Sequence, residues 1–273
     1  KGQISQADLA RGNLEVTLGG RPYRGYPMFS APDEYLQAIK DAGFDILLTA
    51  NNHCLDRGKK GMERTIQLLD SSGIRYAGTY KNLSERRQRY PLFINRNGFR
   101  IALLNYTYGT NGIKATSPNI VNYIDKNTIL QDIQSAKARQ PDAIIACMHW
   151  GEEYQLEPND SQLKIANFLA DEGVDIIFGD HPHTIQPIDI LKSSDGNHET
   201  IVIYSLGNFI SSQRTESIGN PYTEDGLMVS VKITKNFKTG EITLDNPEYI
   251  PTWVKLNIAH GAYYYQVVPA ENN

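Results

Sequence analysis

The feature that most constrains the fold is a repeated alternation of helical stretches and short apolar runs. Between residues 33 and 180, stretches with helical periodicity are each followed, after a glycine or a short polar break, by an apolar run of strand length. The helix and strand pairs are 33–44 with 45–50, 59–73 with 75–79, 127–140 with 142–150, and 161–173 with 174–180. Such alternation is typical of layered α/β proteins. The sequence therefore predicts an α/β fold.

The pattern changes downstream of residue 183, where short β-like runs follow one another without a convincing helix. These runs cover residues 184–193, 199–211, 225–234 and 240–256. The chain has no repeat of fixed period, and no linker rich in Pro, Gly or Ser marks a boundary. We therefore expect one domain over residues 1–273, with an α/β first part and a mostly β C-terminal part.

Composition excludes several classes of function. The chain has 27 Lys and Arg against 31 Asp and Glu, for a formal charge of −4, and this balance gives no sign of nucleic acid as a partner. Its 2 cysteines, Cys54 and Cys147, are too few for a disulfide framework. No apolar run approaches the ~20 residues needed to cross a bilayer.

Polar side chains follow the predicted strands at the point where each strand ends. The groups are Asn13 and Glu15 after the early segment 6–12, Asn51 to His53 after 45–50, His149 after 142–148, and Asp180, His181 and His183 after 174–179. In open α/β sheets the carboxyl ends of the strands line the ligand crevice. We therefore expect these side chains to converge there.

The converging groups are imidazoles, a carboxamide and carboxylates, which borderline cations such as Zn, Mn, Fe and Ni accept as ligands. The closest pair is His181 and His183, separated by Pro182, whose ring restricts the backbone. A single histidine after a strand is more often a hydrogen-bonded structural residue. The joint placement after four strands favours a metal site. His198 and His260 lie in polar, turn-like segments and are predicted to be structural or exposed.

Five motifs in order resemble a known family. They are GNLE at 12–15, ANNHCLDRG at 50–58, HWGEEY at 149–154, GDHPHTIQP at 179–187 and YSLGNF at 204–209. Together they resemble the bacterial capsule-synthesis CapA family, the poly-γ-glutamate synthesis proteins of the calcineurin-like metallophosphoesterase superfamily. This resemblance implies a four-layer αββα sandwich with two divalent metal ions, Mn, Zn or Fe, at the strand ends.

The resemblance also implies a role for each matching residue. The superfamily takes its ligands from a bridging acidic residue, the Asn of an Asn-His pair, a separate His and a terminal His-x-His. The bridging ligand is either Asn13 or Glu15, and neutralisation of two cations favours Glu15. The corresponding ligands in this sequence are Asn13 or Glu15, Asn52, His149, His181 and His183.

Three further residues are candidates for the chemistry. By analogy with the superfamily, His53 faces the substrate and protonates or stabilises the leaving oxygen. Arg57 is predicted either to contact an anionic substrate or to be solvated, and Glu153 either to shape the pocket or to be an exposed loop carboxylate. The segment 104–113 follows the predicted strand 99–107, and its Tyr106, Tyr108 and Gly-Asn turn are expected at the rim of the same crevice, in contact with substrate. The alternative is that the tyrosines belong to ordinary core packing.

The expected function is a metal-dependent hydrolase that acts on a phosphoester or an anionic surface polymer resembling poly-γ-glutamate. Two alternatives remain open: a γ-glutamyl amide hydrolase, and a non-catalytic accessory or export protein of a membrane-bound capsule synthase complex. The superfamily's first motif, a Gly-Asp pair after an opening strand, would precede Lys1, so we expect fewer bound metals without it. Relatives of this type imply a location outside the cytoplasm, with a membrane anchor upstream of Lys1.

Overall fold

A computed structural model describes residues 2–270 of the chain. The chain divides into two compact units, one up to His149 and one from Trp150 onward. The expectation of a single domain over residues 1–273 stays a prediction. Among the described residues, no helix has both the length and the apolar character that a bilayer span requires.

The first unit alternates helices with strands, as the sequence predicts. Its helices are α1 (Asp33–Ala42), α2 (Gly58–Ser72), α3 (Leu83–Arg89) and α4 (Lys126–Lys137), and a 3₁₀ turn covers Ile4–Gln6. Its strands are β1 (Arg11–Asn13), β2 (Ile46–Leu48), β3 (Arg75–Ala77), β4 (Thr79–Tyr80), β5 (Leu92–Arg96), β6 (Phe99–Thr107), β7 (Ile120–Val121) and β8 (Ala143–His149).

Parallel pairing dominates the first unit. β1, β2 and β3 form a parallel sheet in that order. β6 pairs with β8 in parallel and with β5 in the antiparallel direction, while β4 pairs with β7. Every residue of β2 and of β8 is buried. Continuous apolar strands of this kind need cover on both faces, and α2 covers one face of the β1–β3 sheet.

Helix α2 shows how the sequence pattern becomes packing. Met62, Ile66 and Leu69 recur at helical spacing and are each at most 1% exposed. They pack with Leu47 of β2 into the core beneath the β1–β3 sheet. The helix ends at Gly73, which adopts φ +74°, a conformation that favours glycine.

The second unit is mostly β. It contains the helices α5 (Asp160–Asp171) and α6 (Thr215–Ile218) and a 3₁₀ turn at Pro221–Glu224. Its strands are β9 (Ile176–Asp180), β10 (Ile185–Lys192), β11 (Glu199–Leu206), β12 (Asp225–Ser230), β13 (Ile233–Lys235), β14 (Ile242–Leu244), β15 (Glu248–Ala259) and β16 (Ala262–Pro269). β11 lies between β9, which is parallel to it, and β10, which is antiparallel. β15 lies between β12 and β16, and β13 pairs with β14.

The four predicted helices are confirmed with small shifts of their ends. The runs predicted over 225–234 and 240–256 are each divided between two strands, β12 with β13 and β14 with β15. The strand predicted over 75–79 is interrupted at Gly78, which has φ +127°. Helix α3 was not predicted from the sequence. The short helix α6 lies in the region where no helix was expected. The early strand is limited to the three residues of β1.

Candidate metal centre

In the first unit, three strands deliver polar side chains to one place. Asn13 is the last residue of β1 and Glu15 follows it, while Asn52 lies beyond the end of the neighbouring parallel strand β2. His149 is the last residue of β8. Their side chains are within hydrogen-bonding or ion-pairing distance of one another. This part of the predicted convergence is confirmed within the first unit.

The distances around His149 fit a shared cation. Its Nε2 lies 3.0 Å from Asn52 Oδ1 and 3.8 Å from Glu15 Oε1. Ligands that bind one metal at bond lengths of ~2.0–2.2 Å are separated by ~3–4 Å, depending on the angle between them. An imidazole nitrogen, an amide oxygen and a carboxylate oxygen are also the donor types that Zn, Mn and Fe accept. The residues present therefore fit a divalent metal.

The hydrogen bonds distinguish Glu15 from Asn13. Asn51 Oδ1 accepts from the backbone N–H of His53 at 3.1 Å, so its Nδ2 must face Asn13 and donates to Asn13 Oδ1 at 3.1 Å. The Nδ2 of Asn13 consequently faces Glu15 Oε2 at 2.9 Å. Because the Oδ1 atom of Asn13 already accepts a hydrogen bond from Asn51, the Asn13 side chain serves to position its neighbours. Glu15 is therefore the better candidate for the bridging ligand.

The orientation of Asn52 is set by Asn111, which lies in the turn after β6. Asn52 Nδ2 donates to Asn111 Oδ1 at 3.3 Å, so its Oδ1 faces His149. Asn111 adopts φ +48°, which asparagine tolerates better than most residues. The Asn-Gly turn at 111–112 was the available signal in the sequence, but nothing there connected it to Asn52.

The position of the loop after β2 depends on Gly78. Ala50 donates its backbone N–H to Asn105 Oδ1 on β6 at 2.9 Å. A Cβ atom on Gly78 would lie 2.3 Å from both of these atoms, so this position admits only glycine. The close approach brings the segment carrying Asn52 and His53 against β6.

His53 is buried and held by an acidic partner. Its Nδ1 lies 2.8 Å from Asp56 Oδ2, and the same oxygen accepts the backbone N–H of Phe29 at 2.7 Å. The Phe29 ring packs edge-on against the imidazole with ring centroids 4.6 Å apart. With the Nδ1 proton directed to Asp56, Nε2 is the ring nitrogen left for another contact. The sequence predicts a role for His53 but not its partnership with Asp56.

Arg57 and Cys54 border this segment. Arg57 is half-buried, and one of its guanidinium nitrogens donates to the carbonyl of Pro22 at 2.9 Å. Burial raises the pKa of the Cys54 thiol to about 12, which removes it as a nucleophile at neutral pH. Cys54 and Cys147 are both buried, and neither forms a disulfide.

In the second unit, His181 and His183 follow β9 in an unusual backbone conformation. Their φ angles are +104° and +59°, in a region that non-glycine residues seldom occupy. The segment between them is fixed by a hydrogen bond of 2.7 Å from the backbone N–H of Tyr154 to the carbonyl of Pro182. Strained residues that are held this firmly cluster at functional sites. The prediction that both histidines bind metal stays a prediction.

Asn208 orients one of these imidazoles. Its Oδ1 lies 2.8 Å from His183 Nδ1, and its own Nδ2 donates to the carbonyl of Thr223 at 2.9 Å. Because Oδ1 can only accept, His183 carries its proton on Nδ1 and leaves Nε2 as a lone-pair donor. A metal-binding imidazole needs such a partner to fix its tautomer. The sequence placed Asn208 in a family motif without giving it this role.

Other predicted residues have varied positions. Glu153 is exposed on the loop after β8, and the Tyr154 ring lies 6.3 Å from that of His183. Tyr108 lies near His149, with ring planes 14° apart and centroids 6.2 Å apart, as expected for a rim residue. The rim prediction is wrong for Tyr106, which is completely buried and donates to Asp132 of α4.

The histidines predicted to be structural or exposed behave as expected. His198 Nε2 lies 3.0 Å from the carbonyl oxygen of Val174. His260 is exposed in the turn between β15 and β16.

Comparison with known proteins identifies the family. The family model described as "Bacterial capsule synthesis protein PGA_cap" matches residues 1–213. The chain belongs to this family. The family assignment made from the five motifs is therefore confirmed.

Two Bacillus proteins are among the relatives of this PGA_cap chain. The capsule biosynthesis protein CapA of Bacillus anthracis is 34% identical over 271 residues, which cover 95% of this chain and 60% of the relative. The PGA biosynthesis protein CapA of Bacillus subtilis is 32% identical over 228 residues, covering 81% of this chain and 56% of the relative. The chain thus spans little more than half the length of these proteins.

The fold is similar to that of the NAD nucleotidase of Haemophilus influenzae. The TM-score is 0.53 at 14% sequence identity, and the match covers 86% of this chain and 40% of the nucleotidase. At this identity the likeness concerns the fold alone. It confirms the predicted fold class, an α/β protein of the metallophosphoesterase type with a C-terminal part made of strands.

Proposed function

We propose that this PGA_cap protein is a metal-dependent hydrolase that acts in the synthesis or processing of an anionic surface polymer. The observation that carries the proposal is the group of donor atoms around His149 Nε2, with Asn52 Oδ1 at 3.0 Å and Glu15 Oε1 at 3.8 Å. His149 and Asn52 are buried, and a bound cation would neutralise the Glu15 carboxylate beside them.

Glu15, Asn52 and His149 are the ligands supported by contacts within the first unit. From the sequence resemblance we also assign His181 and His183 as ligands, for two ions of Mn, Zn or Fe in all. Divalent cations in such a site lower the pKa of a water molecule and stabilise the negative charge that develops during in-line displacement. The remaining steps depend on side chains of the chain itself.

His53 delivers the proton. In the doubly protonated ring, the Nδ1 proton is directed to Asp56 at 2.8 Å and fixes the orientation of the ring. The Nε2 proton is the one donated to the leaving oxygen. Proton transfer by a positioned imidazole is worth ~10²–10⁴-fold in rate. Asp56 also accepts from the backbone of Phe29, which prevents the carboxylate from turning away from the ring.

A second candidate function comes from the relatives. Both Bacillus proteins are named for biosynthesis of a capsule or of PGA, so a non-catalytic member of a membrane-bound synthase complex is the alternative. In that case the site binds metal and polymer without turnover.

We further propose a location outside the cytoplasm for the whole protein. Fractionation of cells that produce the protein tests this location directly.

The test compares metal content with turnover in matched histidine variants. His149→Ala should lose both metal and activity, because it removes the nitrogen that faces Asn52 and Glu15. His53→Ala should retain metal and lose ~10²–10⁴-fold in turnover. His260→Ala, an exposed histidine in the turn after β15, is the control and should change neither.

The measurements are elemental analysis of each purified variant and hydrolysis of aryl phosphomonoesters, aryl phosphodiesters and a γ-linked glutamate oligomer. Cleavage of the oligomer alone would identify a γ-glutamyl amide hydrolase. Metal binding with no turnover on any substrate would favour the accessory role. Full metal content in His149→Ala would refute the proposed centre.

A further inference from the structure

The segment from Gly20 to Ser30 is an exposed loop of unusual composition. Residues 21–28 are all exposed. Among them Tyr23 is 40% and Tyr26 83% exposed, and Met28 is also largely accessible. The same short stretch carries Arg21 and Arg24. We refer to residues 20–30 as the arginine-tyrosine loop.

The two ends of the loop are fixed together. Ser30 Oγ donates to the carbonyl of Gly20 at 2.7 Å, and Arg24 and Ser30 exchange backbone hydrogen bonds of 3.1 and 2.9 Å. Arg57 reaches across from the start of α2 to the carbonyl of Pro22. A compact loop with adjoining ends is an Ω-loop, a type that is frequently functional. Its exposed side chains therefore stand on a defined backbone.

The loop is connected directly to His53. Phe29 donates its backbone N–H to Asp56, the partner of His53, and its ring packs against the imidazole. The Tyr26 ring packs edge-on against Phe29 with centroids 6.3 Å apart. A continuous run of rings thus leads from the surface at Tyr26 to the buried His53.

The charge of the loop is not balanced by carboxylates. Among residues 2–270, no acidic side chain forms a salt bridge with Arg21, Arg24 or Arg57. Arg21 instead lies over the ring of Tyr23 at 4.9 Å. The paired arginines elsewhere are Arg64 with Asp33, Arg86 with Asp132, Arg89 with Asp70, Arg96 with Asp45 and Arg214 with Glu224. A cationic loop on a chain of net charge −4 marks a surface for an anion.

The side chains of the loop indicate which kind of anion fits. A planar guanidinium binds a carboxylate through two parallel hydrogen bonds. Exposed tyrosine rings and the Met28 thioether pack against apolar methylene groups. A flexible chain in which carboxylates alternate with methylene segments satisfies both requirements, whereas a phosphate chain offers no apolar segment to the rings.

We propose that the arginine-tyrosine loop binds a carboxylate-bearing polymer and directs it along Tyr26 and Phe29 toward His53. This inference rests on the proposed function, because it names the surface that receives the polymer substrate. Arg21 and Arg24 bind carboxylates, and Arg57 adds charge at the base of the loop. The aromatic rings fix the path of the chain between these contacts.

The test measures binding of a fluorescein-labelled γ-linked glutamate oligomer by fluorescence anisotropy, with the metal content of every variant determined in parallel. Arg21→Gln combined with Arg24→Gln should weaken binding of the oligomer ~10-fold at low salt, because two charge-assisted contacts are lost. The difference should be smaller at high salt, because screening weakens the binding of the oligomer to the variant and to the unmodified protein alike. Tyr26→Ala should weaken binding with little change in salt dependence. The charge-matched control combines Arg87→Gln on α3 with Lys137→Gln on α4, and it should bind like the unmodified protein.

The outcomes separate this inference from the proposed function. If the unmodified protein binds the oligomer and the arginine variant binds it equally well, the loop proposal is wrong, although the metal centre stands. If the control variant binds the oligomer as weakly as the arginine variant, the loss of binding is explained by overall charge, and the proposal is also wrong. Binding of polyphosphate in preference to the glutamate oligomer would overturn the carboxylate assignment. The metal content of His149→Ala is a separate measurement, and it tests the proposed function alone.

Discussion

Removal of the Asn208 side chain should reduce metal affinity without removing a ligand. Asn208 Oδ1 fixes the Nδ1 proton of His183 across 2.8 Å, and Asn208 is itself held by the carbonyl of Thr223 and by its backbone N–H to Asp225 at 3.0 Å. In Asn208→Ala the imidazole can rotate and exchange tautomers. Loss of such a partner typically costs ~10–100-fold in metal affinity, which corresponds to about 1.4–2.7 kcal/mol.

The Ala variant also leaves the Thr223 carbonyl without its donor from Asn208 Nδ2, which lowers stability by roughly 1–3 kcal/mol. Asn208→Asp separates the two effects, because it retains an oxygen toward His183 but places a second carboxylate oxygen, instead of a donor, against the Thr223 carbonyl. We expect Asn208→Asp to be destabilised at least as much as the Ala variant and to bind metal nearly as well as the unmodified protein.

The assay is competition of each variant with a chromophoric chelator for Zn²⁺ or Mn²⁺, together with thermal unfolding. Asn197→Ala, in an exposed turn of the second unit, is the matched control and should alter metal affinity in neither direction. Equal metal affinity in Asn208→Ala and the unmodified protein would refute the argument that the tautomer of His183 is set by Asn208.

Two further predictions concern stability. Asp132 forms a largely buried ion pair with Arg86 at 2.6 Å, so Asp132→Ala should lower the free energy of unfolding by roughly 3–5 kcal/mol in urea titrations. Asp70→Ala, which breaks an exposed ion pair, should cost less than about 1 kcal/mol, and equal losses would contradict this reasoning. Burial raises the pKa of Glu224, but hydrogen bonds, first of all from Thr215, outweigh burial and hold the pKa below its ordinary value of 4.5. Because the folded pKa is the lower one, the stabilisation is present above the unfolded pKa and is lost as the pH falls through the folded pKa. Thermal unfolding of Glu224→Gln should therefore change less than that of the unmodified protein between about pH 5 and pH 3, and parallel curves would contradict the assignment.

Local pattern was enough to predict most of the secondary structure. The helices α1 and α2 end at Gly43 and Gly73, both at positive φ, because the apolar periodicity stops there and glycine tolerates the turn. The strand β8 was predicted from a continuous apolar run, since a parallel strand buried on both faces has no polar side. Helix ends and buried strands of this kind depend on residues that are close together along the chain, so they can be read from the sequence.

Part of the candidate site was also predicted from the sequence. Asn13, Glu15, Asn52 and His149 were placed together because parallel strands end at one edge of a sheet, and their contacts in the first unit agree. Between Asn13 and Glu15, the sequence favoured Glu15 only through the charge needed to neutralise two cations. That choice depends on which way the Asn51 amide points, and the orientation follows from a backbone contact to His53.

By itself, the sequence determined the alternation of helices and strands, the family and the types of side chain at the strand ends. Only the tertiary structure decided which atom of each side chain faces its neighbour. Tyr106 turned into the core toward Asp132, while Tyr108, two residues later, lies beside His149. Asp56 and Asn208 became the partners of His53 and His183 through hydrogen bonds. Hydrogen bonding is directional and short-ranged, so these partnerships arise only once packing has fixed the backbones that carry them.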